Sequence, residues 1–415
     1  MPETAQPLTT VAMQKPKMSS DQASLFLSTT HAVEHVLSAS LPPLYVMIKE
    51  NLGLSYTEVG LMSTVRQTVA GLVQAPAGIS VDRMGARRPL AIGFFLVSLS
   101  LLLSGWAPTF SILLLVQALS GLGSSAFHPA TYSIVSRIAG SDKVGKRMGI
   151  HTFGGFAGTT ISFALVAFLG SKFGWRQALM ILSIPGFVVS VLFWKLFDMD
   201  ERPVAERRKE ATSAAGTGIA PGILALIGIT TVNGMFSRGL SSFMPVFLSA
   251  AYGMSVTQAG LYSTIMTGTG CVGLLIGGTF ADKYPKTSII AISSVLMSAT
   301  SLMLAGTNLS TAVLAGVLVF SGLAQYISNP SQTSLVSDFA SAESRGSLFG
   351  MTFASSFLGG SIVTIIAGWM ADTWGIRSIF IFLAVLAACR ALMTIPLRKV
   401  WRRTTNGRQA GVMVG

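Results

Sequence analysis

Apolar runs of about 20 residues or more recur along the chain, each closed by a short polar break. Twelve can be traced, at 22–48, 56–81, 90–106, 110–137, 148–170, 175–196, 219–250, 256–281, 287–306, 310–338, 346–371 and 376–397. As helices, runs of this length cross a hydrocarbon core about 30 Å thick. The pattern predicts an all-α polytopic membrane protein with twelve transmembrane helices. One break is much longer than the others. Residues 198–218 carry Glu201-Arg202-Pro203 and Arg207-Arg208-Lys209-Glu210, then Thr, Ser, Ala and Gly, the composition of a solvated linker.

The two sides of that linker repeat each other about 200 positions apart. Gly78-x-x-x-Asp82-Arg83-x-Gly85-x-Arg87-Arg88 is echoed by Gly278-x-x-x-Asp282-Lys283-x-x-Lys286. Gly53-Leu54-Ser55 returns as Gly253-Met254-Ser255, His128-Pro129 as Asn329-Pro330, and Gly174-Trp175-Arg176 as Gly375-Ile376-Arg377. The expected organisation is a flexible N-terminus (1–21), a six-helix bundle (22–197), the linker (198–218), a second, pseudo-symmetric six-helix bundle (219–398) and a basic tail (399–415). Two homologous apolar halves facing each other are the architecture of a secondary transporter with its site at their interface.

Composition agrees, with 51% apolar and 11% charged residues against about 25% charged in soluble domains. The formal net charge of +13 suggests nucleic acid until its distribution is examined. Lys and Arg follow alternate loops, and only Lys49, Lys172, Arg176 and Arg377 fall on the minority side. By the positive-inside rule both termini and the linker are cytoplasmic, and the basic excess is a topology signal, with no nucleic-acid partner expected. The first apolar run is too long for a cleavable signal and has a counterpart in the second half. Cys271 and Cys389 fall in predicted helices of different halves and read as small apolar residues.

With twelve spans, a duplication and the Gly78–Arg88 loop, the chain resembles the major facilitator superfamily along nearly its whole length. That resemblance implies a gating motif of Gly78, Asp82, Arg83, Gly85 and Arg87, with Asp282 in the echo; Asp82 at a helix end would latch the halves. Gly121-Leu122-Gly123-Ser124-Ser125-Ala126-Phe127-His128-Pro129, Ser136-Arg137, Gly154-Gly155 and the first helix's His31 look most like the fosmidomycin resistance group within it. This implies proton-driven export of a small, often anionic compound, no cofactor, and a monomer in a bacterial inner membrane. The chain departs from the family's usual pattern at Gln117, at Arg66-Gln67 and in lacking a Gly-Pro after Gly158.

All four histidines, His31, His35, His128 and His151, fall in spans of the first half, and Glu34 is the only carboxylate well inside any span. Ionisable groups in hydrocarbon cost about 2.5–3.5 kcal/mol on insertion scales, so they are expected to face a cavity. His31, Glu34 and His35 at i, i+3 and i+4 share one helix face and are candidates for proton coupling; a fixed Glu34–Arg66 pair is the competing reading. Arg66 and Arg238, one guanidinium from each half, suit an anionic substrate. His128, Gln67, Asn233, Gln325 and Asn329 are further candidate cavity liners, with prolines 129 and 330 kinking their helices. Arg137 and Asp338, at matching ends of the two repeats, are candidates for an inner gate. Arg390 is expected to snorkel near a membrane face.

Neither a phosphate-binding loop nor a nucleophile elbow is present, and enzymatic activity is not expected. His31 and His35 at i and i+4 suit a metal in principle, but no third ligand lies near in sequence, and no metal is expected. The sequence thus leaves a proton-coupled transporter of a small organic anion, by uptake or efflux, as the main expectation. A multidrug exporter for apolar or cationic compounds is one alternative, and a transporter-derived receptor that does not translocate is another.

Overall fold

A computed structural model describes residues 18–139, 144–196, 221–306, 308–339 and 345–412, all helices and their connections. The linker 198–218 and most of the N-terminal segment lie outside the described residues, as do the side chains of Asp82 and Arg137. The helices of the first half are α1 (Ser20–Ser38), α2 (Tyr45–Leu52), α3 (Tyr56–Met84), α4 (Arg87–Trp106), α5 (Phe110–Ser124), α6 (Phe127–Ala139), α7 (Val144–Phe173) and α8 (Trp175–Leu196). The second half holds α9 (Pro221–Tyr252), α10 (Val256–Lys283), α11 (Lys286–Gly306), α12 (Thr311–Ile327), α13 (Asn329–Phe339), α14 (Arg345–Trp374) and α15 (Ser378–Val412).

The repeated sequence motifs are helix punctuation. Gly53 and Gly253 both have φ of 65°, the left-handed region that ends a helix without steric cost to glycine. Two residues later Ser55 and Ser255 cap the next helix, each in a capping box, with Glu58 and Gln258 respectively. Gly174 and Gly375 turn the chain in the same way, at φ 83° and 85°. The arginines that follow anchor neighbouring helix ends: Arg176 donates to the carbonyl of Ala107 at 2.5 Å, and Arg377 to that of Leu304 at 2.9 Å. Guanidinium groups on C-terminal carbonyls complement the helix dipole. These contacts explain two of the basic residues on the minority side.

The halves are built alike. α4 packs on α8 as α11 packs on α15, and α1 on α7 as α9 on α14. Between the halves, α3 lies along α14 and α10 along α7, a second matched pair. Outward faces carry exposed apolar side chains such as Leu72, Ile92, Leu115, Leu275 and Phe320, the surface a lipid-facing bundle presents.

Among the described residues, ten spans are long and apolar enough to cross a membrane on length and composition. The other two of the twelve, α1–α2 and α3, fall short because they carry polar site groups: His31, Glu34 and His35 in one, Arg66, Gln67 and Gln74 in the other. Three expectations are corrected. Span 1 is not continuous but breaks after Ser38, where Pro42 and Pro43 start a 3₁₀ turn. Spans 4 and 10 break at Ser125–Ala126 and Ser328, so Pro129 and Pro330 fall in the first turns of new helices, where their missing N–H costs nothing, rather than kinking continuous ones. The expected tail continues α15 as helix to Val412. Arg390 is 0% exposed inside the second half, where it donates to Ser294 and Ser328, because the longer α15 carries it away from the membrane face.

Candidate functional site

The halves enclose a cavity of about 290 Å³ between them. α1 contributes Glu34, His35 and Ser38; α3 contributes Ser63, Arg66 and Gln67; Ser120, His128 and Thr159 come from α5, α6 and α7. From the second half come Asn233, Ser237 and Arg238 on α9, Tyr326 on α12, Asn329 on α13 and Phe357 on α14. Broken spans supply several of these, since helix ends at midplane free polar groups that a cavity can use.

Arg66 does not touch Glu34. Its Nη2 donates to the Ser38 hydroxyl at 2.6 Å, and that hydroxyl donates to Glu34. Arg66 Nε reaches Ser120 at 3.3 Å. The expected pair is thus a relay, made by a serine one helical turn from the carboxylate. Across the cavity Arg238 is exposed; its guanidinium stands 5.4 Å from the Phe357 ring centroid and forms no hydrogen bond or ion pair with a described residue. A charged donor fork open to a cavity is arranged to receive an acceptor.

The other polar liners are incompletely satisfied. Gln67 donates to Ser63 at 2.7 Å, but its Oε1 has no partner, and neither has Asn233 Oδ1. Asn329 Oδ1 accepts from Gln332 at 3.3 Å. Gln325 does not line the cavity: it is buried and donates to Ser237 at 2.8 Å, which does. Gly360 lets α14 enter this convergence, since a Cβ there would stand 2.7 Å from Arg238 Cγ and 3.1 Å from Gln67 Oε1.

The four histidines form one cluster. His31 is buried behind the cavity wall, its ring centroid 4.2 Å from that of His151, 4.7 Å from His35 and 5.6 Å from His128. Its Nδ1 lies 2.7 Å from the His151 carbonyl. His35 Nδ1 lies 2.7 Å from the Thr159 hydroxyl, and its Nε2 stands 3.8 Å from Glu34 Oε2. Gly154, Gly155 and Gly158 of α7 give α1 this closeness. A Cβ at any of the three would collide with Ser28, His31 or Ala32.

Of the candidate gating residues, those with described polar contacts make them within their own half. Arg83 and Asp282 are exposed, and Gly85 adopts φ 76° at the α3–α4 turn. Gly78 faces Pro129, 3.9 Å from where its Cβ would stand. Arg87 donates to the Trp194 carbonyl at the end of α8 at 2.5 Å. Asp338 pairs with Lys286 at 2.6 Å and accepts from Trp401 at 3.4 Å, both of its own half. The expected Arg137–Asp338 gate lies outside the described residues on the Arg137 side, and the described partners of Asp338 are those of its own half. Hydrogen bonds between the halves, among the described residues, run from midplane to the side remote from the termini, ending at Asp372 against Tyr56 and Thr57.

Sequence reasoning missed Ser38, Ser120, Thr159, Ser237, Tyr326 and Phe357. Ser38 had a readable signal, four residues after the one deep carboxylate. The others are residue types common throughout such helices.

The family model described as Major Facilitator Superfamily matches residues 27–230 and again 226–412. The probable L-galactonate transporter of Escherichia coli (strain K12) is 24% identical over 380 residues, covering 85% of this chain and 83% of its own. The fosmidomycin resistance protein of the same strain is 23% identical, covering 82% and 85%. Among solved structures, an inward-facing, occupied bacterial homologue of the human lysosomal transporter Spinster superposes with a TM-score of 0.79 at 17% identity, covering 94% of this chain and 99% of that one.

Proposed function

The chain belongs to the Major Facilitator Superfamily, a multi-pass membrane secondary transporter and not an enzyme, and from that premise we propose that it carries a small organic anion, coupled to protons, by alternating access. The observation that carries this reading is the pair Arg66 and Arg238, one from each half, both lining the same cavity. An anion held between them would bind both halves at once and be handed from one access state to the other as they rock. Arg238, open to the cavity, would take the first contact. Arg66, steadied through Ser38 and Ser120, would keep Nη1 for the substrate.

Two guanidinium groups in one cavity oppose a cationic substrate, which disfavours the multidrug alternative. The relative named for L-galactonate supports an anion, and the relative named for fosmidomycin resistance supports export of some compound. Glu34 is our proton carrier, with His35 beside it and His31 behind. A proton arriving on Glu34 would weaken its hold on Ser38 and so loosen Arg66 from the wall of its own half. The proposed setting is a bacterial inner membrane with both termini cytoplasmic, a monomer of two bundles, 22–197 and 219–398. The test is reconstitution in liposomes with an imposed pH gradient, following labelled sugar-acid anions and cationic dyes. Gradient-dependent anion flux with no dye flux is the expected result, and its sign gives the direction of transport; gradient-dependent dye flux with no anion flux would reject the reading.

A further inference from the structure

The histidine cluster carries more than a proton relay. Each of His31, His35 and His128 offers one ring nitrogen, and the three nitrogens lie within 4.8 Å of one another. Two of the residues share a face of α1 and the third comes from the start of α6, so the sequence alone brings together only the first two.

Hydrogen bonding fixes which nitrogens are bare. The His151 carbonyl can only accept, so His31 Nδ1 carries a proton toward it and Nε2 holds a lone pair. That Nε2 is buried and has no partner. The Thr159 hydroxyl also reaches the Gly155 carbonyl at 3.1 Å; donating there, it accepts from His35 Nδ1, which leaves His35 Nε2 bare as well. His128 makes no side-chain hydrogen bond with a described residue, and its Nδ1 is buried. A ring with Nδ1–H on an oxygen and Nε2 free is the tautomer and second-shell anchoring of metal-ligating histidines. Three ring nitrogens gathered this closely, two of them with a free lone pair, favour a positive charge among them.

We infer that His31, His35 and His128 form a binding site for a first-row transition-metal dication, with Glu34 as the neighbouring negative charge. Three imidazoles and a carboxylate select Zn²⁺, Co²⁺, Ni²⁺ or Cu²⁺ over Mg²⁺ or Ca²⁺. Metal–nitrogen bonds of about 2.0–2.1 Å in a tetrahedron place ligand nitrogens roughly 3.4 Å apart, so separations of up to 4.8 Å must contract by as much as about 1.4 Å. His128 supplies that movement, being half-buried at the cavity and held by no described hydrogen bond, while His31 stays fixed. Glu34 Oε2, 3.8 Å from His35 Nε2, needs to close by roughly half an ångström to become a fourth ligand. Otherwise that position opens to the cavity and takes water or an anion. Arg66 and Arg238 oppose a bare dication and favour one that arrives with such an anion.

The site does not depend on the anion-transport reading, and equilibrium binding of the metal alone tests it separately. Full-length protein purified without a polyhistidine tag and stripped with chelator is titrated with Co²⁺, reading the visible absorption of the ion and the unfolding temperature. The expected result is one Co²⁺ per chain with intense tetrahedral bands, a raised unfolding temperature, and affinity at least tenfold weaker in His128→Asn. Metal-free His128→Asn should unfold within a few degrees of wild type, since no described hydrogen bond is lost. Absence of saturable Co²⁺ binding, or binding that His128→Asn leaves unchanged, would overturn the site whatever the flux experiments give.

Discussion

Asp372 caps the first turn of a helix in the opposite half: its carboxylate accepts the Thr57 N–H at 2.8 Å and the Thr57 hydroxyl at 2.6 Å, and also takes the Tyr56 N–H at 2.8 Å. An anion at a helix N-terminus satisfies donors the helix cannot satisfy itself and complements its dipole. Here the cap comes from α14 and the helix is α3, so it is made only while the halves meet on the side remote from the termini.

Asp372→Asn keeps the shape and one acceptor but removes the charge. Such contacts contribute about 1–2 kcal/mol, so the variant should shift the access equilibrium roughly 5- to 30-fold toward opening on that side. Alkylation rates at Ser63→Cys from that side, compared with and without Asp372→Asn, read the shift; equal rates would show that the cap does not hold the closed state.

A glycine makes the same closure possible. A Cβ at Gly60 would overlap the Thr364 carbonyl, and one at Gly260 would stand 2.7 Å from the Phe163 carbonyl, matching contacts on the two interhelical seams. Backbone cannot yield as a side chain can. Gly60→Ala should therefore fold, keep its substrate affinity within a few-fold, and lose at least tenfold in transport rate, since it penalises one access state. Exchange and net flux in liposomes check this, and unaltered flux would contradict it.

Ser38 ties Arg66 to Glu34, and its loss leaves both charges short of a partner. Ser38→Ala should cost about 1–3 kcal/mol in stability by that argument and reduce proton-driven flux, while Ser38→Thr, which restores the hydroxyl, should recover most of both. Thermal unfolding and flux measured on the same preparations decide it.

Arg390 is a buried guanidinium outside the cavity, held by two serines and with Nε unpartnered. Ser328 is the C-cap of α12, so the charge is tied to the C-terminal end of a broken span, where the helix dipole favours a cation. Replacing a buried charge by an apolar side chain of similar length is often neutral or better, whereas truncation leaves a void. Arg390→Met should keep substrate affinity and stay within about 1 kcal/mol of wild-type stability; Arg390→Ala should lose more than about 2 kcal/mol.

Much of the fold was legible because bilayer thickness and repeat symmetry act on local sequence: the twelve runs and the repeated Gly53-Leu54-Ser55 and Gly174-Trp175-Arg176 motifs read directly, although their roles as helix ends and caps did not. The breaks were harder. Pro42-Pro43 announces one, but His128-Pro129 and Asn329-Pro330 suggest kinks at the prolines, whereas the helices end at Ser124 and Ile327 and restart with proline in the first turn. Within the site, the charged residues stood out because hydrocarbon makes them costly. Their partners did not, since Ser38 and Thr159 acquire roles only through the crossing of α3 and α7 over α1, and His128 joins His31 only across 97 residues of chain. Arg390 was misread because distance from the end of an apolar run is a poor gauge of depth when the helix continues to Val412.

Arg66 and Arg238 are proposed to hold an anion between the halves. The most direct test of this proposal is pH-gradient-driven flux of a labelled sugar-acid anion into proteoliposomes for wild type, Arg66→Ala and Arg238→Ala, with equilibrium binding on the same samples. Each variant should lose at least tenfold in affinity, and neither should transport measurably. Undiminished anion flux in either variant, or flux of a cationic dye that rises when the arginine is removed, would contradict it.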